Sequence, residues 1–179
     1  MKNREQGIKI VYEDRWLIVI DKPSGLLTMS TGRSGEVTAY TILTDYLGRV
    51  FIVHRLDRDT SGLLVFAKDQ ETKIALQENW DEVIIERRYH AVLEGIIDDQ
   101  EGWIETWLYE NPKSFKVSCH PFMEGDDRER PPRKGWQYAC SHCGTIRKGY
   151  ADGKAYTCVE FNLETGRKNQ IRAHAQWIG

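Results

Sequence analysis

His54-Arg55-Leu56-Asp57-Arg58-Asp59-Thr60-Ser61-Gly62 places two Asp among two Arg and a His, between apolar flanks. Phe51-Ile52-Val53 precede it and Leu63-Leu64-Val65-Phe66-Ala67 follow it. Each flank predicts a short buried strand, and Gly62 marks a turn. A charged loop pinned between two core strands can aim a carboxylate at a substrate. The same pattern also suits a buried ion-pair corner that only fixes the fold. Spacing alone leaves both readings open.

Outward from this loop, residues 8–12 and 16–20 predict strands, with Glu13-Asp14-Arg15 as their turn. Asp21-Lys22-Pro23-Ser24-Gly25 breaks the chain, and Ser30 to Gly35 is a small, polar loop. Residues 37–48 predict a helix with Tyr40, Leu43, Tyr46 and Leu47 on one face, stopped by Gly48. Asp69 is a helix N-cap, with Ile74, Leu76 and Trp80 facing inward. Strands follow at 88–95, 103–109, 115–119, 136–139, 145–150 and 155–163, then a helix from Lys168 to Trp177 carrying Ile171, Ala175 and Ile178 on its buried side. Asp126 to Lys134 is a polar loop. Short strands with few helices between them, and no regular βαβ repeat, predict an α+β fold with a mixed, mostly antiparallel central sheet flanked by helices and loops. We find no internal repeat and no linker, so residues 1–179 are expected to form one domain.

The 179 residues, 40% hydrophobic, suit a globular chain with room for a core. No run of 18 apolar residues predicts a membrane span. The polar Met1–Gln6 lacks a signal peptide's apolar stretch, so a cytoplasmic protein is expected. The net charge of −2 is unevenly spread. Asp69 to Asn111 holds 12 acidic and three basic residues, whereas Asp126 to Arg172 holds ten basic and six acidic ones. One basic face on a mildly acidic protein is enough to meet a polyanion. Cys140-Ser-His-Cys143 is a lone C-x-x-C without a second pair at zinc-ribbon spacing. Free thiols are the expected state, and Cys158 suits a core position.

Thr165-Gly166-Arg167-Lys168-Asn169-Gln170-Ile171-Arg172-Ala173-His174 is the second dense polar cluster. It falls at a strand-to-helix junction, where free N–H groups attract anions. Basic residues there oppose the helix dipole, so a polyanion or a buried carboxylate should justify them. Arg172, Lys168 and Asn169 are expected to share a face. Tyr89 has core packing as its default role.

These two clusters, with Tyr12-Glu13-Asp14 and Ile20-Asp21-Lys22-Pro23-Ser24-Gly25-Leu26, resemble the RluA-type pseudouridine synthases. The resemblance runs in the family's order over about residues 10 to 178, and Arg88-Tyr89-His90-Ala91-Val92 resembles the family's Tyr-bearing strand. It implies isomerisation of uridine to pseudouridine in structured ribosomal or transfer RNA. That reaction rearranges one nucleotide, so no cofactor and no metal is expected. By the match, Asp57 is the catalytic Asp, Arg55 extrudes the uridine and fills its place, and Tyr89 packs on the flipped base as a candidate proton acceptor. Arg172 matches an Arg that pairs with the catalytic Asp. Arg58, Arg167, Lys168 and Asn169 are expected to contact RNA, and Asp59 to be structural. Asn169 stands where the family usually has His. The family continues beyond Trp177-Ile178-Gly179, so a catalytic domain truncated at its C-terminus is expected, with no S4 module and no obligate partner chain (a monomer). A non-catalytic RNA-binding relative and a zinc-containing binding module are the alternatives.

Overall fold

The computed structural model describes residues 8–32, 35–97 and 101–179. Met1–Gln6 and residues 33–34 of the polar loop lie outside them. The chain divides into two compact units, Met1–Ile84 and Ile85–Gly179.

The first unit contains β1 (Lys9–Glu13), β2 (Leu17–Lys22), α1 (Ala39–Leu47), β3 (Phe51–Ile52), β4 (Gly62–Ala67), α2 (Gln70–Glu78) and the short α3 (Trp80–Val83). Its sheet has the order β1-β2-β4-β3, with every ladder antiparallel. Asp14 closes the first hairpin by accepting the Trp16 and Leu17 N–H groups, each at 2.8 Å. In β2, Ile18, Ile20 and Lys22 are buried in strict alternation. In β4, Leu64 and Phe66 are buried. Thr38 caps α1 through a reciprocal pair with Thr41. The buried face of α1 is Ala39, Ile42 and Leu43, whereas Tyr40 and Tyr46 are exposed. The expected face was therefore rotated: aromatic size was read as burial, but the apolar stripe begins at Ala39. Asp69 does cap α2, accepting the Thr72 N–H at 2.7 Å. Contrary to expectation, α2 has no buried residue, and Ile74 is 44% exposed.

The second unit contains β5 (Arg88–Glu94), β6 (Glu101–Glu110), β7 (Val117–Pro121), β8 (Trp136–Ala151), β9 (Lys154–Leu163) and α4 (Gln170–Trp177). Its sheet has the order β5-β9-β8-β6-β7, again antiparallel throughout. The fold is α+β with antiparallel sheets, as expected. One face of this second sheet carries Ile104, Cys143, Val159 and Phe161, and Ile171 and Ala175 of α4 pack against that cluster with Ile178, which follows the helix.

The two strands expected at 136–139 and 145–150 are one strand, β8. It absorbs the break with a bulge between Thr145 and Arg147. Cys140 and Cys143 consequently lie mid-strand. Residues three apart on a strand face opposite sides, so Cys143 enters the α4-side cluster while Cys140 pairs in register with Glu105. They cannot act as a chelating knuckle. Among the described residues no group of three or more His, Cys, Asp or Glu is placed to hold a metal ion. Cys158 is only half-buried, on the face opposite Val159 and Phe161, because alternation along β9 gives the core to its odd-numbered neighbours.

Candidate active site

In the first unit, the segment from Lys22 to Thr28 grips the charged loop from one side. Four consecutive loop carbonyls are each engaged. Leu56 O accepts from the Thr28 hydroxyl at 2.8 Å, and Asp57 O from the Thr60 N–H at 3.2 Å. Arg58 O accepts from Gly25 N–H at 2.9 Å and from Lys22 Nζ at 3.0 Å. Asp59 O accepts from the Ser24 hydroxyl at 2.8 Å. Gly25, at φ +87°, supplies the left-handed backbone this close approach requires.

Lys22 is the centre of the clasp. It is fully buried, and Nζ donates to the carbonyls of Pro23 at 3.0 Å, Leu26 at 2.7 Å and Arg58 at 3.0 Å. An ammonium has three donors, and all three are used. Burial lowers the Lys22 pKa, and the negative charges of Asp59 and Asp57 counter that effect. Sequence reasoning took this segment as a chain break and as part of the family resemblance, with no role for Lys22 itself. The missed signal is the alternation itself, since Lys22 falls in phase with buried Ile18 and Ile20.

With the backbone bound, the loop's side chains take separate places. Leu56 is buried. Arg55 is exposed and Asp57 half-buried, and neither side chain makes a hydrogen bond or ion pair with the described residues of its unit. Arg58 Nε donates to Gly25 O at 3.2 Å, so this expected RNA contact also helps close the clasp. His54 accepts the Val65 N–H at Nε2 (3.1 Å) and packs its ring on Trp80 with centroids 4.7 Å apart. Burial lowers its pKa to about 4, which keeps it the neutral acceptor that this bond needs.

In the second unit, Tyr89 sits half-buried on β5 and packs against the α4-side cluster. The Thr165–His174 segment is held by a buried polar network. His174, fully buried, reaches the Thr106 hydroxyl through Nε2 at 3.0 Å and the Ser141 hydroxyl through Nδ1 at 2.9 Å. Gln170 donates to Ser141 Oγ at 2.9 Å and to Cys140 O at 3.0 Å, and its Oε1 accepts from the Thr165 hydroxyl at 2.8 Å and the Arg167 N–H at 2.9 Å. Burial lowers the His174 pKa to about 4. The network fixes the register of α4 and presents Arg172 on its exposed side, where it has no hydrogen-bond or ion-pair partner among the described residues of its unit.

The other expected cations at this junction are partly committed. Arg167 Nε donates to Tyr138 O at 2.9 Å, and Lys168 forms an ion pair with Glu110. The basic residues are therefore justified in part by local carbonyl and carboxylate partners, and the shared donor face is carried by Arg172. Asn169 precedes α4 in the left-handed region at φ 54°. Asn and His are both enriched there, which explains why this chain accommodates Asn where the resembled family has His.

A family model described as RNA pseudouridylate synthase matches residues 16–177. The dual-specificity RNA pseudouridine synthase RluA of Vibrio vulnificus is 31% identical over 96% of this chain and 65% of its own length. The tRNA pseudouridine synthase C of Pectobacterium carotovorum is 30% identical, over 96% of this chain and 45% of its own length. The chain thus spans about half to two thirds of these relatives. Human RNA pseudouridylate synthase domain containing 1 shares the fold with a TM-score of 0.76, at 21% identity over 97% of this chain and 66% of that one.

Proposed function

We propose, because this chain belongs to the RNA pseudouridylate synthase family, that it isomerises particular uridines of ribosomal or transfer RNA to pseudouridine. The observation that carries this reading is the Asp57 loop. Its four carbonyls from Leu56 to Asp59 are all bonded, while the Asp57 carboxylate is left without a local partner. A carboxylate on a rigid backbone with its acceptor capacity unspent is arranged to act on something else. A purely structural Asp would spend it on its own unit.

The chemistry assigns work to each side chain. A stacked uracil cannot turn over, so the nucleotide must leave its helix. Exposed Arg55 is suited to take the vacated place. Tyr89, backed by an apolar cluster, offers the flipped base a flat surface. Asp57 serves at the sugar, as nucleophile or in proton removal, while the N1–C1′ bond breaks. The uracil rotates and rejoins C1′ through C5. N1, freed of C1′, gains a proton and C5 loses one, for which the Tyr89 oxygen is the candidate acceptor. Arg172 is assigned to pair with Asp57 and fix its direction, in keeping with the forked geometry of a guanidinium. Arg58, Arg167, Lys168 and Asn169 contribute to RNA contact to the extent that their local bonds leave them free.

Mapping pseudouridines in RNA from cells lacking the gene tests this reading. One or more sites should vanish and return with the wild-type gene but not with Asp57→Ala. An unchanged map would reject the proposal.

A further inference from the structure

The sheet of the second unit has a face that the proposed chemistry does not use. Register places Glu101 and Trp103 of β6, His142 and Gly144 of β8, Glu160 and Asn162 of β9, and His90 of β5 on the side away from α4. At its centre Gly144 has no side chain, and a Cβ built there would meet only Glu101 Cγ at 3.8 Å. The missing side chain leaves a dish of about 450 Å³, within the size range of small-ligand sites. The β8 bulge brings Ile146, 48% exposed, to its rim. Trp103, 61% exposed, meets the His142 ring edge-on at 5.1 Å and extends the aromatic wall.

The polar groups of the dish are specific. Glu160 is already held by His90 at 3.1 Å and lies 3.8 Å from Arg88. Glu101 is exposed and has no hydrogen bond or ion pair with the described residues. Asn162 Oδ1 accepts the Arg87 N–H at 3.2 Å, which leaves its amide NH₂ as a donor. The site therefore combines one uncommitted carboxylate, one amide donor, an aromatic wall and a glycine floor. A planar ring with two adjacent N–H donors on one edge and acceptors nearby satisfies all four features. Guanine has that pattern, with N1–H and N2–H₂ for Glu101, and O6 or N7 for the Asn162 amide. Adenine, cytosine and uracil each lack the paired donors. An arginine side chain of a protein partner would also pair with Glu101, but it would meet two cations on the same face: Arg88, which also pairs with Glu86 at 2.8 Å, and Arg147, which lies in register with Cys158, two residues from Glu160. Those cations suit the phosphates that flank a base. Arg147 follows the bulge directly, is exposed and is unpaired among the described residues.

We propose that this face is a second RNA-docking site, which holds an unpaired guanine of the substrate RNA in the Gly144 dish and thereby selects among RNAs. The proposal rests on the RNA-acting reading above for the source of the guanine, but its test does not depend on catalysis. Backbone amide resonances of Gly102 and Gly144 are followed while GMP, IMP, AMP, CMP and UMP are added to about 10 mM, a range that detects weak single-nucleotide binding. GMP should shift both resonances saturably. IMP, lacking the N2 amino group, should bind about tenfold more weakly, as expected for one lost hydrogen bond to a charged group. Glu101→Gln should abolish the preference for GMP over IMP, and Gly144→Leu should remove binding while the remaining amide spectrum stays folded. Asp57→Ala should leave GMP binding unchanged. No saturable shift, equal response to all five nucleotides, an unchanged preference in Glu101→Gln, or binding of arginine amide in place of GMP would each overturn the proposal. If GMP fails to bind while the wild-type gene still restores pseudouridine, only this inference falls. If GMP binds and no pseudouridine depends on the gene, the enzymatic reading falls and the site remains.

Discussion

Replacing Lys22 by Met removes the centre of the loop clasp at nearly constant side-chain length. Three hydrogen bonds of 2.7 to 3.0 Å disappear from a fully buried site. Arg58 O keeps the Gly25 N–H, whereas the carbonyls of Pro23 and Leu26 lose the donor that Lys22 supplied. Pro23 is exposed and Leu26 half-buried, so water can meet part of what their carbonyls lose, and each costs less than the roughly 1–3 kcal/mol of a fully buried one. Removing the buried ammonium returns part of that, because its desolvation no longer opposes folding. The net expectation is a loss of about 1–2 kcal/mol in the first unit. Urea unfolding followed at Trp16 and Trp80 reads it: with a slope of about 1–3 kcal/mol/M, the midpoint should fall by about 0.5–1 M. Amide exchange should show Gly25 and Thr60, whose N–H groups bond loop carbonyls, among the residues most accelerated. A variant within about 0.5 kcal/mol of wild type, with both amides still protected, would refute the clasp.

Four further outcomes follow from the same geometry. His54 and His174 have native pKa values of about 4, below the ordinary 6.5, so the unfolded chain binds more protons between these values. Stability from both is complete above pH 6.5 and is lost as pH falls toward 4, by an amount on the order of a few kcal/mol in total; urea titrations at stepped pH check this, and His174→Gln should flatten part of the slope. Ser141→Ala leaves His174 Nδ1 without its 2.9 Å partner and removes one bond from Gln170, so a cost of about 1–3 kcal/mol is expected in thermal or urea unfolding of the second unit. Asn169→Gly should be neutral within about 0.5 kcal/mol, whereas Asn169→Val should cost about 1–2 kcal/mol, because a β-branched residue resists the left-handed region. Zinc or a chelator should leave the melting temperature unchanged, since Cys140 and Cys143 face opposite sides of β8; a zinc-dependent rise would contradict that strand geometry.

Local patterning made much of this molecule legible. The flanks of the charged loop, the Asp69 cap and the alternation of β9 all follow from short-range chemistry and survive in the structure. The failures have physical causes. Cys140-Ser-His-Cys143 and Gly144 looked like an interruption, yet a sheet with partners on both sides of β8 carries polar and small residues through. Ile74 fitted a helical stripe, but α2 lies where no buried residue is required of it. Asp57 and Arg172 stood out as members of dense charged clusters, and Tyr89 only through the family resemblance. Lys22, Gln170 and His174 lay inside the quoted stretches, but the holding role of Lys22 and of the Ser141–Gln170–His174 network was not read from them. Their roles depend on carbonyls and hydroxyls far along the chain, which no local spacing reveals.

The central claim is that Asp57 is kept for chemistry rather than for the fold, and Asp57→Ala tests it in one pairing of measurements. Because its carboxylate has no hydrogen-bond partner in its own unit, the variant should unfold within about 1 kcal/mol of wild type, and the gene carrying it should restore no pseudouridine to RNA from cells lacking the native copy. A folded variant that still restores the modification, or one destabilised by about 3 kcal/mol or more, would contradict it.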